Sequence, residues 1–264
     1  QFHFVKLEHT VFALPFAYAG MALGADVAGV DLTVSLVVWI TLAMVGARTL
    51  AMGLNRVIDR EIDARNPRTA GREIPSGKVT PGQVWALCAV SLALLVLATF
   101  QLDPITRVLW PIPVALFVLY PYTKRFTWLC HAVLGLSIGL APLGAWLATG
   151  APAGEAAPYL LWLGIACWIG GFDVIYATPD VEFDRSSGVQ SLPARVGIAC
   201  ALTVVRVAHV LTVACFAAAA WQLELGIAAW IGIAIAAVLL TWENRIVSAD
   251  DLSRIDHAFF TVNS

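Results

Sequence analysis

A short stretch of the sequence spaces three side chains with oxygen ligands four residues apart, namely Asn55, Asp59 and Asp63. Steps of four residues return to nearly the same face of an α-helix, so the three groups are predicted to form one stripe. Neighbouring carboxylates repel one another unless a cation lies between them. Mg²⁺ fits best, because it prefers oxygen ligands and is commonly held by one or two carboxylates and the phosphates of a substrate.

A second acidic stretch repeats this pattern later in the chain. Its members, at spacings of three, four and four residues, are Asp173, Tyr176, Asp180 and Asp184. A single aspartate near the end of a helix is more often an interfacial charge, whereas two spaced stripes favour a shared ligand. The repetition indicates an internal duplication, or two acidic walls that face each other across one cavity. Glu61 and Glu182 lie off the stripes and are predicted to be solvated.

Basic side chains accompany both stretches. Arg68, Arg72 and Lys78 follow the first stretch, and Lys124 and Arg125 form a later basic turn. Arginine and lysine neutralise phosphate oxygens and donate hydrogen bonds to them. We therefore predict that these residues bind a diphosphate that metal ions bridge to the carboxylates.

The elements that must position these residues are predicted to be membrane-spanning helices. Hydrophobic residues make up 59% of the chain and charged residues 13%, far from the balance of a soluble domain. The apolar runs lack polar alternation, which favours helices over a closed barrel. About twenty apolar residues cross the hydrocarbon core. That length predicts spans near 9–25, 34–55, 82–100, 107–123, 129–149, 158–178, 198–221 and 225–243.

The two ends of the sequence lead to a further expectation. A ninth span is predicted to begin near His257, which leaves only about eight residues before Ser264. The sequence also opens at Gln1 without an initiator methionine. We therefore expect the natural protein to extend beyond both ends. Residues 1–264 are predicted to form one transmembrane domain whose last helix is truncated, with no visible secretory signal.

The distribution of lysine and arginine orients the predicted bundle. Short cytoplasmic loops collect these residues, and here they concentrate in the loops that follow even-numbered spans. The long polar loops at 56–81 and 179–197 are therefore predicted to face the cytoplasm. This places the candidate site on the cytoplasmic side of the cell membrane.

Other residue types give no indication of a different function. The net charge of −2 does not suggest a nucleic-acid partner, so none is expected. The five cysteines and five histidines are dispersed along the chain, without a spacing suited to zinc. The cysteines are predicted to serve packing.

Arg48 lies seven residues before Asn55, which on one helix is about two turns, or roughly 10 Å, deeper toward the membrane interior. A charge at that depth needs a reason. One interpretation makes Arg48 the anchor for a carboxylate on an aromatic substrate, and the other pairs it with Asp173 in a buried ion pair. Tyr122 and Tyr176 are candidates to line the cavity and face a developing cation, although aromatic residues at such positions more often serve packing.

These motifs resemble those of the UbiA superfamily of intramembrane prenyltransferases. The first stretch matches its Asn-x-x-x-Asp-x-x-x-Asp motif, and the second matches its Asp-x-x-Tyr-x-x-x-Asp-x-x-x-Asp motif. Further matches are the stretch 66–77, the turn 120–125 and the segment 188–193. The opening residues 6–16 are similar to the 4-hydroxybenzoate polyprenyltransferase branch and its relatives in the futalosine route to menaquinone.

The resemblance implies nine transmembrane helices around a central cavity, and it allows two related four-helix halves. It implies catalytic aspartates at 59, 63, 180 and 184 that, with Asn55, bind Mg²⁺. The implied substrates are an isoprenyl diphosphate, such as geranyl diphosphate or a longer one, and an aromatic acid. The acid is expected to be 4-hydroxybenzoate, prenylated ortho to its phenol in quinone biosynthesis, while the isoprenoid tail lies among apolar helices and membrane lipid.

Several alternatives stay open at this point. Within the superfamily, the chain could instead be a menaquinone, haem O or ether-lipid prenyltransferase. A transporter also places ionisable residues within helices, but no inverted repeat with broken half-helices is visible in the sequence. A purely structural membrane protein would have little use for two acidic stripes.

Overall fold

The computed structural model of the chain describes residues 7–248, with side chains from residue 13 onward. Throughout that range the regular structure is helical, as predicted. In chain order the helices are α1 (Leu7–Ala28), α2 (Val34–Ile58), α3 (Arg60–Arg65), α4 (Pro81–Thr99), α5 (Pro104–Leu109), α6 (Pro111–Thr123), α7 (Cys130–Ala148), α8 (Ala157–Ala177), α9 (Val181–Ser187), α10 (Leu192–Val196), α11 (Ile198–Gln222) and α12 (Ile227–Ile246), with a 3₁₀ turn at Thr178–Asp180.

The long helices confirm the prediction of a multi-pass membrane protein. Seven helical stretches among the described residues are long and apolar enough to cross a membrane. Together with α1, they place both boundaries of each of the first eight predicted spans within three residues of an observed helix end. The ninth predicted span, near His257, lies outside the described residues.

The two polar loops contain more regular structure than their composition suggests. The loop predicted at 56–81 includes α3, and the loop predicted at 179–197 includes α9 and α10. Proline occupies the first turn of the 3₁₀ segment and of α10, where its missing N–H would have no helical partner in any case. Short helices therefore satisfy the backbone of segments that composition alone assigns to loops.

One compact unit comprises residues 7–122 and 141–153 of the described chain. Its central contact is α2 against α4. The two helices approach closely at Gly46, where an added methyl group would lie 2.8 Å from the carbonyl oxygen of Ser91. Small residues at such contacts let membrane helices pack backbone to backbone. Below this point, Leu54, Val57 and Val84 form part of a buried cluster that fixes the end of α2.

The other compact unit comprises residues 123–140 and 154–248 of the described chain. Here α8 packs against α11, and it also touches the first part of α7. At Gly135 an added methyl group would lie 2.2 Å from the carbonyl oxygen of Ala166, so only glycine permits that approach. Val174, Ile175 and Val205 form part of a buried cluster that fixes the end of α8.

Candidate functional site

The first acidic motif lies at a break between two helices. Asp59 ends α2 and precedes α3, with φ −90° and ψ 1°. The hydrogen-bond spacing continues across the break, because Asp59 N donates to Asn55 O at 2.9 Å and Asp63 N donates to Asp59 O at 2.8 Å. Asn55, Asp59 and Asp63 therefore keep the helical spacing of the predicted stripe despite the break between α2 and α3. Aspartate favours helix ends over helix interiors, which suits this position.

Neighbouring side chains hold the carboxylates of this motif. Asp59 is fully buried, at 0% exposure, and Asn55 Nδ2 donates to its Oδ2 at 2.7 Å. Asp63, at 4% exposure, accepts from Arg72 Nη1 at 2.7 Å and lies 4.0 Å from Arg56 Nη1. Buried charges need such partners. The motif is thus a rigid pair of oriented carboxylates beside two guanidinium groups.

The residues predicted to bind a diphosphate in this unit differ in their positions. Arg72 contacts the acidic motif directly, whereas Arg68 and Lys78 are exposed on the connecting segment. Thr69 Oγ1 donates to Asp63 O at 2.9 Å, which holds that segment against α3. The structure therefore brings Arg72 to the carboxylates and leaves Arg68 and Lys78 at the surface beside them.

Arg48 lies within α2 and is partly buried. It interacts electrostatically with Tyr120 of the same unit. Tyr122, predicted to line a cavity, is exposed. The two interpretations of Arg48, as an acceptor anchor or as half of an ion pair with Asp173, remain predictions.

The second acidic motif repeats the local structure of the first. Asp180 is the last residue of the 3₁₀ turn and immediately precedes α9, again with φ −90° and ψ 1°. Asp184 follows in the first turn of α9 and is buried, at 7% exposure. Ser191 Oγ donates to Asp184 Oδ2 at 2.6 Å. Lys124 and Asp180 both interact electrostatically with Asp184, so Lys124 lies near this motif, and its role in binding a diphosphate stays a prediction.

Asp173 has a partner that sequence reasoning missed. Its Oδ2 lies 2.6 Å from Nδ1 of His131, near the start of α7. Leu192 N in turn donates to His131 Nε2 at 3.3 Å. The two members of the pair are 42 residues apart, and the dispersed histidines gave no signal of it. Tyr176 lies one turn further along α8 and is partly buried.

The donor atoms of both motifs suit Mg²⁺. Within residues 13–248, no three His, Cys, Asp or Glu side chains form a metal cluster of their own. Mg²⁺ does not require one, since one or two carboxylates, substrate phosphates and water commonly complete its coordination. Each motif supplies two carboxylates, which is the share of a Mg²⁺ site that a protein commonly provides.

Comparison with known sequences gives a consistent result. A model of the UbiA prenyltransferase family matches residues 13–264. A polyprenyl transferase of Arthrinium sp is 34% identical over 207 residues, which cover 76% of this chain and 64% of that protein. A 4-hydroxybenzoate octaprenyltransferase of Cronobacter sakazakii is 30% identical over 213 residues, which cover 80% of this chain and 72% of that protein. The chain thus spans less than two thirds of the length of the Arthrinium relative.

Solved structures agree with the sequence comparison. The apo structure of a UbiA homolog from Aeropyrum pernix K1 has a TM-score of 0.90 at 31% identity, covering 98% of this chain and 95% of that one. A UbiA homolog from Archaeoglobus fulgidus bound to GPP and Mg²⁺ has a TM-score of 0.68 at 18% identity, covering 96% of this chain and 94% of that one. The second likeness concerns the fold alone. The predicted fold class and family resemblance are both confirmed.

Proposed function

Since this chain belongs to the UbiA prenyltransferase family, we propose that it transfers a prenyl group from an isoprenyl diphosphate to an aromatic acid in the presence of Mg²⁺. The proposed acceptor is 4-hydroxybenzoate, prenylated ortho to its phenol. The proposed location is the cell membrane, with the site toward the cytoplasm. The name of the 4-hydroxybenzoate octaprenyltransferase relative supports the acceptor and the prenyl donor. The homolog bound to GPP and Mg²⁺ supports the diphosphate substrate and the metal.

The observation that carries this proposal is the shared local structure of the two acidic motifs. In each, an aspartate with φ −90° and ψ 1° immediately precedes a short helix, and a buried aspartate follows four residues later. Burying carboxylates costs free energy unless a cation or hydrogen bonds compensate. The presence of this arrangement twice in one chain is best explained by a function that requires a divalent metal ion.

The carboxylates and Asn55 would hold the metal. The proposed ligands are Asn55, Asp59, Asp63, Asp180 and Asp184. Bound Mg²⁺ neutralises charge that develops on the departing diphosphate. Asn55 Nδ2 already donates to Asp59, so its amide oxygen is the atom suited to the metal. In the other unit, the hydroxyl of Ser191 likewise donates a hydrogen bond to Asp184 and restricts the orientation of that carboxylate.

Basic side chains would bind the diphosphate oxygens. Arg72 and Lys124 lie with the acidic motifs, and Arg68 and Lys78 extend from the connecting segment. Preorganised cations of this kind stabilise charge that appears only as the bond breaks, which lowers the barrier. The isoprenoid tail, by contrast, suits the apolar helices and the surrounding lipid.

The reaction exchanges one bond for another. The bond between the first prenyl carbon and the diphosphate oxygen breaks, and diphosphate leaves with the electron pair. The ring carbon ortho to the phenol attacks the resulting allylic cation, and loss of the ring proton restores aromaticity. We propose that Arg48 binds the acceptor carboxylate, that Asp173 lies at the acceptor, and that Tyr122 and Tyr176 face the cation.

Purified protein tests the proposal directly. It would be incubated with Mg²⁺, with prenyl diphosphates of several lengths and with a panel of acceptors that includes 4-hydroxybenzoate, a naphthoate and a non-aromatic lipid alcohol. We expect 4-hydroxybenzoate that has gained one prenyl group, identified by mass, and no product when EDTA removes the metal. Prenylation of only another acceptor would replace the acceptor assignment, and equal product formation with EDTA would refute the metal requirement.

Matched variants separate the site from general damage. Asp184→Asn removes a proposed ligand, and we expect a loss of about 10²- to 10³-fold in rate, the scale seen when one electrostatic contact is removed from a site. Glu182→Gln changes an exposed carboxylate of the same helix and should keep the wild-type rate. Equal rates for the two variants would contradict the site assignment.

A further inference from the structure

We propose that His131 is a positioning residue that holds the two ends of the second acidic motif in one arrangement. Its ring connects Asp173, proposed to lie at the acceptor, with the 188–193 segment, which contacts Asp184 and Lys124. The inference rests on the proposed function, because it assigns those ends to acceptor and to metal with diphosphate. His131 itself is not proposed to contact either substrate.

Both ring nitrogens of His131 are engaged, and their roles follow from their partners. Leu192 N–H can only donate, so Nε2 accepts its hydrogen bond at 3.3 Å. In the neutral ring the hydrogen then lies on Nδ1, which donates to Asp173 Oδ2 at 2.6 Å. The ring is buried, at 6% exposure. His131 therefore joins a side chain of α8 to the backbone at the start of α10.

Residues beside Leu192 carry this connection to the other end of the motif. Ser191 Oγ donates to Asp184 Oδ2 at 2.6 Å. Gln190 N donates to Lys124 O at 2.6 Å. Cys130 Sγ lies 3.3 Å from Gln190 O, as a weak donor. A shift of the 188–193 segment would therefore move the partner of Asp184 and loosen the turn that bears Lys124.

The backbone around His131 is itself fixed against α8. A methyl group added at Gly170 would lie 3.2 Å from His131 O, so the two helices nearly touch at this level. Gly170 lies three residues before Asp173, almost one helical turn. The contact between α7 and α8 thus sets the distance between His131 and Asp173. The hydrogen bond from Leu192 N to the ring then fixes the 188–193 segment relative to both residues.

Two substitutions separate the two hydrogen bonds of the ring. The amide nitrogen of asparagine occupies nearly the position of Nδ1, so His131→Asn can keep the donor to Asp173 while losing the acceptor for Leu192. The amide oxygen of glutamine reaches nearly the position of Nε2, so His131→Gln can keep the acceptor for Leu192 while losing the donor to Asp173. A residue with only a bulk packing role would not produce opposite effects in these variants.

The experiment measures the two ends of the motif separately in the purified protein. Calorimetry would follow binding of geranyl thiolodiphosphate, an unreactive analogue, in the presence of Mg²⁺, and steady-state assays would give KM for 4-hydroxybenzoate. We expect His131→Asn to weaken analogue binding about tenfold with KM near the wild-type value. We expect His131→Gln to raise KM about tenfold with analogue binding near wild type, the scale for a residue that orients a ligand.

Controls make each outcome decisive. Ser137→Ala alters another buried polar residue of α7, which among the described residues bonds only to its own helix at Val133 O, and should match wild type in both measurements. Variants that bind and turn over like Ser137→Ala, or that lose both functions equally with a lowered melting temperature, would overturn the positioning role. If the wild-type chain binds the analogue but prenylates no acceptor, the proposed function fails, while analogue binding by His131→Asn still tests the inference.

Discussion

Asp59 and Asp180 share one backbone conformation, φ −90° and ψ 1°, and each immediately precedes a short helix that follows a membrane helix, directly after α2 for Asp59 and after the 3₁₀ turn for Asp180. Four residues after each comes a buried aspartate, Asp63 or Asp184, on the first turn of that short helix. The two motifs are 121 residues apart (180 minus 59). Their agreement in local structure supports an internal duplication and gives rise to the predictions that follow.

The first motif should be as sensitive as the second. Asp59→Asn keeps the shape of the side chain and its contact with Asn55 but removes the charge. We expect prenyl transfer to fall by about 10²- to 10³-fold, measured by product mass at saturating substrates. Glu61→Gln, at an exposed neighbouring carboxylate, should retain the wild-type rate. A fully active Asp59→Asn would show that this carboxylate does not bind metal.

The hydroxyl of Ser191 should tune metal affinity. Ser191→Ala removes the hydrogen bond to Asp184 and frees that carboxylate to rotate. We expect the Mg²⁺ concentration for half-maximal activity to rise about tenfold or more, with partial recovery in Ser191→Thr. Ser186→Ala is the control, because the exposed Ser186 hydroxyl bonds to Phe183 O within its own helix. An unchanged Mg²⁺ requirement in Ser191→Ala would remove Ser191 from the site.

Arg72 should contribute to both stability and diphosphate binding. Among the described residues, Arg72→Ala leaves the buried Asp63 carboxylate with the 4.0 Å contact to Arg56 alone, so unfolding should become easier by about 1–3 kcal/mol. The KM for the prenyl diphosphate should rise as well. Thermal melting in detergent and steady-state kinetics check the two effects. Arg65→Ala, at an exposed arginine of α3, should change neither, and a rise in KM there would argue for nonspecific charge attraction.

Arg48 should distinguish carboxylated from uncharged acceptors. If it binds the carboxylate, Arg48→Ala should raise the KM for 4-hydroxybenzoate about tenfold or more, since a charged hydrogen bond contributes on that scale. The KM for the diphosphate and the use of a phenol without a carboxylate should stay the same. Arg48→Lys should recover part of the loss. Unchanged kinetics with 4-hydroxybenzoate would favour an ion-pair role.

The contact between α7 and α8 should be sensitive to one methyl group. In Gly135→Ala the new carbon would meet Ala166 O at 2.2 Å, so the helices must separate, at a cost of about 1–3 kcal/mol. Gly144→Ala, in the same helix, meets no described residue within 4 Å and should stay within about 1 kcal/mol of wild type or gain stability. Melting temperatures of the two purified variants compare these expectations.

The spans and the acidic stripes could be predicted because both depend on local rules. Bilayer thickness fixes the length of an apolar helix, and the helical period fixes which residues share a face. Even so, the break at Asp59 was not foreseen, since neither proline nor glycine marks it. Its continued hydrogen-bond spacing explains why the predicted stripe is nevertheless present.

The partners of the carboxylates could not be predicted, because they depend on how distant segments pack. His131 reaches Asp173 across 42 residues, and no spacing in the sequence connects them. Ser191 is only seven residues from Asp184, but their contact requires the chain to reverse at Gly188, whose φ is 76°. The sequence contains that glycine, yet it does not indicate which side chain the turn brings back.

Main-chain atoms form several of the contacts that fix the position of the 188–193 segment. Gln190 uses its N–H toward Lys124 and its carbonyl oxygen toward Cys130, so neither contact depends on the glutamine side chain. A library randomised at position 190 should therefore retain many polar and apolar residues and reject proline, which alone lacks the required N–H. Amino-acid variation at position 190 would therefore say little about whether the neighbouring site, which its backbone helps to position, is still functional.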